Sequence, residues 1–167
     1  MVPIGHPLAA TLIRNTLILN CVTEAYGALI KMVGLDASLG AVAMSPCPTD
    51  LHRRELQVEI DALVALMLHV TADELCTVYR TQFAVLFGYD NGNGQGAYYY
   101  DANGRLVPNP VLTVWRKKGD AITEAERTHT NASGNTYVYA LPFRTFDREE
   151  DMRTAYAEFE RRLRERS

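Results

Sequence analysis

Aromatic and basic side chains come together in two neighbouring segments of the chain. Residues 98–100 are three consecutive tyrosines, and a tryptophan is followed directly by three cations. Tyrosine rings can stack on nucleic-acid bases, and Arg and Lys can contact phosphates. The pattern therefore offers a candidate surface for nucleic-acid contact, whose residues are Tyr99, Arg105, Arg116, Lys117 and Lys118. The alternative is that the tyrosines pack on the core and the cations complement a helix C-terminus.

A polar segment at residues 130–137 offers further hydrogen-bonding groups. It reads Thr-Asn-Ala-Ser-Gly-Asn-Thr-Tyr, and its candidate contact residues are Asn131, Ser133 and Asn135. Such side chains can bind base edges or phosphates. They can equally satisfy one another in a network of Asx and Ser/Thr turns, and the sequence leaves both interpretations open.

Other residue types that carry chemistry do not form a recognisable set. The glycine-rich segment 88–96 matches neither GxGxxG nor a phosphate loop ending in GK[ST], so we interpret it as a flexible loop. The four histidines and three cysteines lack the spacing of a metal site. Cys76 lies on an amphipathic pattern and is expected to be a buried thiol. We therefore expect no catalytic residue, metal or cofactor in this chain.

The first half of the chain has helical periodicity. Residues 8–33 predict a long helix with a possible interruption at Asn20, and residues 34–50 are loop-like. A strong apolar stripe predicts a helix over 51–68 with Asp50 as its cap. Residues 71–83 predict the next helix, because Thr71 and Glu74 form a capping-box pattern ahead of an apolar face. The two helices should form a tightly turned pair.

The second half mixes strand and helix signals. We predict a β-hairpin over 97–108 and a short helix beginning at Asn109 as cap, with Pro110 in its first turn. A strand over 136–141 follows, and Asp147 should cap the last helix. The predicted fold class is α+β and predominantly helical. A helical part at about 1–87 and a mixed part at about 88–167 would form a single domain.

Composition narrows the function classes. The chain has 167 residues, 47% of them hydrophobic, and a net charge of −3, which argues against binding nucleic acid by bulk electrostatics. Residues 1–100 hold 5 Lys/Arg against 9 Asp/Glu, whereas residues 101–167 hold 12 against 11, so a basic patch would lie in the second half. The odd cysteine count suits a reducing cytoplasm. No segment resembles a signal peptide or a membrane span, so a membrane partner is not expected.

Five segments, in the same order along the chain, resemble one protein family. They are Thr-Leu-Ile-Leu-Asn-Cys-Val-Thr-Glu-Ala-Tyr at 16–26, Glu-Ile-Asp-Ala-Leu-Val-Ala at 59–65, the helix at 71–83, Tyr-Tyr-Asp-Ala-Asn-Gly-Arg-Leu-Val-Pro at 99–108, and Asn-Ala-Ser-Gly-Asn-Thr-Tyr at 131–137. Together they resemble the C-terminal region of very large bacterial adenine-specific DNA methyltransferases, which are restriction-modification and phage-defence enzymes. The resemblance spans about residues 13–163.

The resemblance implies an accessory piece of such an enzyme. The family's glycine-containing loop for S-adenosylmethionine and its Asn/Asp-Pro-Pro-Tyr/Phe motif are both missing. The segment Asn109-Pro110-Val111 departs from that motif at its third position. The implied role is a non-catalytic C-terminal module that supports DNA recognition or clamping, with S-adenosylmethionine bound only by a parent enzyme. The alternative is a protein–protein module that docks on the methylase core or another defence-system subunit.

Overall fold

The computed structural model describes residues 5–20, 24–32, 49–90 and 97–165. The helices in these ranges are α1 (Ala9–Asn20), α2 (Gly27–Met32), α3 (Asp50–Met67), α4 (Ala72–Gln82), α5 (Ala84–Asp90), α6 (Asn109–Lys118) and α7 (Arg148–Arg164). Strands β1 (Thr128–Thr130) and β2 (Thr136–Val138) form an antiparallel two-stranded sheet, with His129 opposite Tyr137. The predicted class, α+β with helix predominant, is confirmed.

Some predictions fall outside the described residues. They concern the loop at 34–48, the glycine-rich segment at 91–96, and the cysteines Cys21 and Cys47. None of the helices in the described ranges has both the length and the apolar character needed to cross a membrane.

The described chain forms two compact units. Unit 1 contains the described residues 5–20, 24–32, 52–87 and 147–165. Unit 2 contains residues 49–51, 88–90 and 97–146. In unit 1, α4 begins with the predicted capping box: the Glu74 N–H donates to Thr71 Oγ1 at 3.3 Å, and the Thr71 N–H donates to Glu74 Oε2 at 2.8 Å. These bonds satisfy N–H groups that a helix start leaves unpaired and favour a carboxylate there. They lower the pKa of Glu74.

The core of unit 1 lies between α3 and the two helices that pack beside it. Helix α4 contacts α7, whose cap is Asp147, as predicted: its carboxylate accepts from the N–H groups of Glu149 and Glu150. One apolar cluster joins α1, α3 and α7, and a second joins α3, α4 and α7. Their most enclosed members are Leu8, Ala62, Leu63, Cys76, Met152 and Phe159.

A buried carboxylate organises unit 2. Asp101 is 4% exposed, and its Oδ1 accepts from the N–H groups of Asn103 at 2.9 Å and Arg105 at 2.8 Å. Its Oδ2 accepts from the N–H of Ala140 at 3.0 Å. One side chain therefore closes the turn at 101–105 and ties it to the segment after β2.

The turn between β1 and β2 repeats this design. Asn131 Oδ1 accepts from the N–H groups of Ser133 and Asn135, both at 3.0 Å. In each turn the fourth residue is a glycine with positive φ, +75° at Gly104 and +82° at Gly134. The sequences Asp-Ala-Asn-Gly-Arg and Asn-Ala-Ser-Gly-Asn thus fold alike, because both combine an Asx side chain with a left-handed glycine.

The core of unit 2 forms around α6. Ring centroids of Trp115 lie 5.1 Å from Tyr99 and 5.5 Å from Phe143, and helix α6 also contacts β1. The buried members of this cluster are Val107, Val111, Leu112, Ile122, Tyr139 and Phe143.

The interruption that the sequence indicated at Asn20 is present, since α1 ends there and a separate helix, α2, follows. Three other sequence predictions need correction in detail. Residues 88–90 were predicted as loop, but they form the last three residues of α5 (Ala84–Asp90). The predicted hairpin at 97–108 forms one isolated β-bridge, between Tyr100 and Leu106, instead of two regular strands. On its other side, Tyr100 forms a second bridge with Arg144. Asn109 is not a cap: Pro108 holds that position and makes no side-chain cap bond.

The two glycine turns give a matched test of unit 2. At Gly134 a Cβ would meet open space, so Gly134→Ala should cost only the left-handed strain of about 1–2 kcal/mol. At Gly104 a Cβ would lie 2.9 Å from Thr49 Oγ1 and 3.3 Å from its Cβ, which should add ~1–3 kcal/mol. Urea unfolding of the two variants measures the difference. Equal losses of unfolding free energy would contradict the described contact with Thr49.

Candidate functional site

The last turn of α6 presents three consecutive cations that differ in their surroundings. Arg116 and Lys117 are exposed, and neither forms an ion pair within the described ranges. Lys118 forms an ion pair with Glu126, which lies in the 3-10 turn Ala125–Arg127. Two of the three predicted cations therefore remain available to a ligand, and the third is engaged in the fold.

Glu126 is held by more than Lys118. Its carboxylate also accepts from the N–H and the hydroxyl of Thr123, both at 3.0 Å, while its own N–H donates to Thr123 Oγ1. This is a reciprocal capping arrangement at the 3-10 turn Ala125–Arg127. The hydrogen bond from Lys118, with help from Thr123, lowers the pKa of Glu126 to about 2.

The polar turn at 131–135 divides its side chains between structure and surface. The carboxamide oxygen of Asn131 is used by the turn itself, as the alternative interpretation of this segment predicted. Ser133 and Asn135 are exposed at the tip of the hairpin, and the bonds that they form with Asn131 use only their backbone atoms. Their side chains are the part of this turn that can meet a ligand.

The two remaining candidates lie against aromatic rings of unit 2. The partly buried Tyr99 packs on Trp115 and thus belongs to the core cluster around α6. The guanidinium of Arg105 lies 4.9 Å from the ring centroid of Tyr137, a cation–π distance. Arg105 is half-buried by this contact, so the surface that it offers is smaller than that of Arg116 or Lys117.

Arg144 is a further exposed cation that the sequence interpretation missed. Its backbone pairs with Tyr100 through two hydrogen bonds of 2.7 and 2.8 Å, while its side chain is exposed and forms no ion pair within residues 97–165. A lone arginine between Phe143 and Thr145 carries no motif, and its placement depends on the long-range bridge to Tyr100. No local signal could have identified it.

Within the described ranges, we find no arrangement of side chains that indicates a metal site or a reactive cysteine. No group of three or more His, Cys, Asp or Glu side chains there could hold a metal ion. Cys76 is fully buried, and burial raises the pKa of its thiol, which disfavours the nucleophilic thiolate.

Unit 1 contains an apolar cleft that the sequence did not reveal. It has a volume of about 590 Å³, and its apolar walls come mainly from α3 and α4, with Leu86 of α5 and Met152 of α7. The rim side chains Leu68, Val78 and Phe83 are 52%, 45% and 56% exposed. Sequence periodicity indicated which faces of α3 and α4 are apolar, but it could not indicate that these faces meet incompletely.

An ion pair lies among the apolar residues of this cleft. Arg148 Nη2 donates to Asp61 Oδ2 at 3.0 Å, and the guanidinium lies 5.6 Å from the ring centroid of Tyr79. The Arg148 side chain is 8% exposed, whereas that of Asp61 is 43% exposed. Burial raises the pKa of Asp61, and the charge and hydrogen bond of Arg148 oppose that rise.

The role of Lys118 can be tested by titration. Lys118→Met removes the main hydrogen bond to Glu126, so the pKa of Glu126 should rise from about 2 towards its ordinary value of 4.5. Lys117→Met is the matched control and should leave that pKa unchanged. Carboxyl resonances followed by NMR against pH measure both. An unchanged Glu126 pKa in Lys118→Met would show that Lys118 is as free as its neighbours.

Comparisons of this chain with protein-family models, with curated proteins and with solved structures find no match.

Proposed function

We propose that the chain is a non-catalytic module of a DNA methyltransferase or restriction-modification enzyme, and that unit 2 supports DNA recognition or clamping. The proposal starts from the resemblance of the five ordered segments to the C-terminal region of those enzymes. The observation that carries it is the pair of exposed cations Arg116 and Lys117, which form no ion pair within the described ranges and lie in the last turn of α6, a helix in contact with β1 of the polar hairpin.

The chemistry of this surface suits the DNA backbone better than base edges. Arg and Lys bind phosphates through charge, and that contact does not depend on base sequence. Ser133 and Asn135 at the hairpin tip add neutral hydrogen-bonding groups, and Arg144 adds a third exposed cation that forms no ion pair within the described ranges. Among the acids of unit 2, Asp101 and Glu126 are engaged within the fold, whereas Glu124 is exposed. The surface therefore supports modest, salt-sensitive binding that positions a duplex.

The salt dependence of duplex binding tests this proposal. Arg116→Ala/Lys117→Ala removes two phosphate contacts, so the slope of log K against log[salt] should become shallower by about 2, since each contact contributes ~0.9. Affinity should fall similarly for unrelated DNA sequences. Fluorescence anisotropy with a labelled duplex, from about 50 to about 200 mM salt, measures both quantities.

A charge-matched control comes from α7. Arg161 and Arg164 are exposed but form ion pairs with Glu158, Glu160 and Glu165. Arg161→Ala/Arg164→Ala changes net charge equally and should leave the salt slope unchanged. No duplex binding at the lowest salt, or the same loss in both double variants, would contradict a DNA-contact role for unit 2.

The second candidate function is a protein–protein module that docks on the methylase core or another defence-system subunit. It is supported by two apolar side chains at the junction of α4 and α5, Phe83 and Val85, which are 56% and 77% exposed. Large exposed apolar side chains close together are typical of interaction surfaces.

A co-purification experiment distinguishes this candidate from DNA binding. Phe83→Ser/Val85→Ser should reduce co-purification with a purified methylase core and leave duplex affinity unchanged. The matched control is Thr81→Ser/Thr77→Ser, which alters exposed residues of α4 with little change in polarity. Equal recovery of the core by the wild-type chain and the Phe83/Val85 variant would contradict docking through this junction.

A further inference from the structure

The cleft of unit 1 contains a buried guanidinium that makes few hydrogen bonds. A guanidinium carries five N–H donors. In Arg148, Nη2 donates to Asp61, whereas the enclosed Nε has no acceptor in the described ranges. A buried charge with unsatisfied donors is costly unless a further partner completes its hydrogen bonding. An acceptor that enters the cleft would therefore be stabilised there.

The rest of the cleft favours a hydrocarbon. Its volume of about 590 Å³ lies in the range of small-molecule sites, which combine apolar walls with a few polar groups. Val64 of α3 faces the cleft together with Leu75 and Val78 of α4, and Leu68 and Phe83 extend the apolar surface to its rim. A chain of methylene groups would bury surface that these residues now leave open to water.

We propose that this cleft is a binding site for an aliphatic monocarboxylate. The carboxylate would accept hydrogen bonds from Arg148, and the hydrocarbon chain would lie along Val64, Leu75 and Val78. Arginine and carboxylate match in geometry as well as in charge, since the planar guanidinium can donate two parallel hydrogen bonds. The inference goes beyond the function proposed for unit 2 and does not depend on DNA contact.

The charge arrangement favours an anionic head group over a cationic one. Asp61 already accepts from Arg148 and is 43% exposed to water, so it gains little from a second cation. A cationic head placed beside Asp61 would also lie near the buried Arg148 and would be repelled by it. A carboxylate would instead share Arg148 with Asp61, and the like-charge repulsion between the two carboxylates is weakened by water because Asp61 is 43% exposed.

Three amphiphiles of equal chain length test the proposal on the full chain: decanoate, decanol and decylammonium. Calorimetric titration gives each affinity, and NMR shift mapping locates each probe. Decanoate should bind about 10-fold or more tightly than decanol, because a hydrogen bond to a charged partner adds at least about a tenfold factor. Shifts should centre on the methyl groups of Val64, Leu75 and Val78.

Substitutions separate the head-group contact from the apolar walls. Arg148→Met should abolish the preference for decanoate over decanol, with circular dichroism as the check on folding. Val78→Trp places a bulky side chain in the cleft from an exposed helical position and should weaken decanoate binding. Thr77→Trp, at the adjacent exposed position outside the cleft, is the matched control and should bind as the wild type does. If Arg148→Met fails to fold, this pair and the three probes still decide.

Three outcomes would overturn the proposal. Equal affinity for decanoate and decanol would show that Arg148 does not select a head group, and tighter binding of decylammonium would assign the selection to Asp61. Failure of all three probes, which is expected if the helix of a partner protein fills the cleft, would exclude a small amphiphile. The duplex affinity of the same protein sample reports on unit 2 separately, so failure of one proposal is distinguishable from failure of the other.

Discussion

The hydrogen bonds that Asp101 accepts are the constraint on which unit 2 depends. A carboxylate that is 4% exposed must find donors, and Asp101 finds three backbone N–H groups, two in its own turn and one at Ala140. These bonds fix the distance between two segments that are far apart in sequence. They also place Arg105 over Tyr137, the middle residue of β2, which follows the polar hairpin turn. The candidate DNA surface therefore depends on the buried carboxylate of Asp101, which is not itself one of the candidate DNA contacts.

Unit 1 uses charge differently. The starts of α4 and α7 are satisfied locally, by Thr71 with Glu74 and by Asp147, and the exposed Arg161 and Arg164 of α7 pair with acids one turn away. Arg148 is buried among the apolar residues of the cleft, where its Nη2 donates to Asp61 and its Nε has no acceptor within the described ranges. The same element that closes the core through Met152 thus leaves an incompletely paired charge in a cleft. A ligand of the right chemistry would complete it.

Local chemistry predicted the parts of the fold that depend on near neighbours. The capping box at Thr71 is confirmed, as are the cap at Asp147 and the helices α3, α4 and α7, because each requires only residues within one or two turns. The pairing of the hairpin at 97–108 was harder to predict, because Tyr100 pairs with two backbone segments and one of them, at Arg144, is distant in sequence. Asn109 was misassigned as a cap because proline at 108 supplies the extended backbone that a cap needs.

The site was less predictable than the fold. Sequence pointed to Lys118 and Asn131 by residue type, but the structure engages Lys118 with Glu126 and the Asn131 oxygen with its own turn. Arg144 and the cleft around Arg148 depend on contacts between residues distant in the chain, which composition and spacing do not encode. What sequence could supply was the inventory of cations and apolar faces. Which of them stay free is a tertiary property.

The most direct test of the central claim, that unit 2 carries the DNA-contacting surface, is to map amide NMR shifts of the full chain during titration with duplex DNA. The account predicts salt-sensitive changes at Arg116 and Lys117 and at the hairpin tip around Ser133 and Asn135, with the α3–α4 cleft unchanged. Changes centred on the cleft residues of unit 1, or none at low salt, would contradict it.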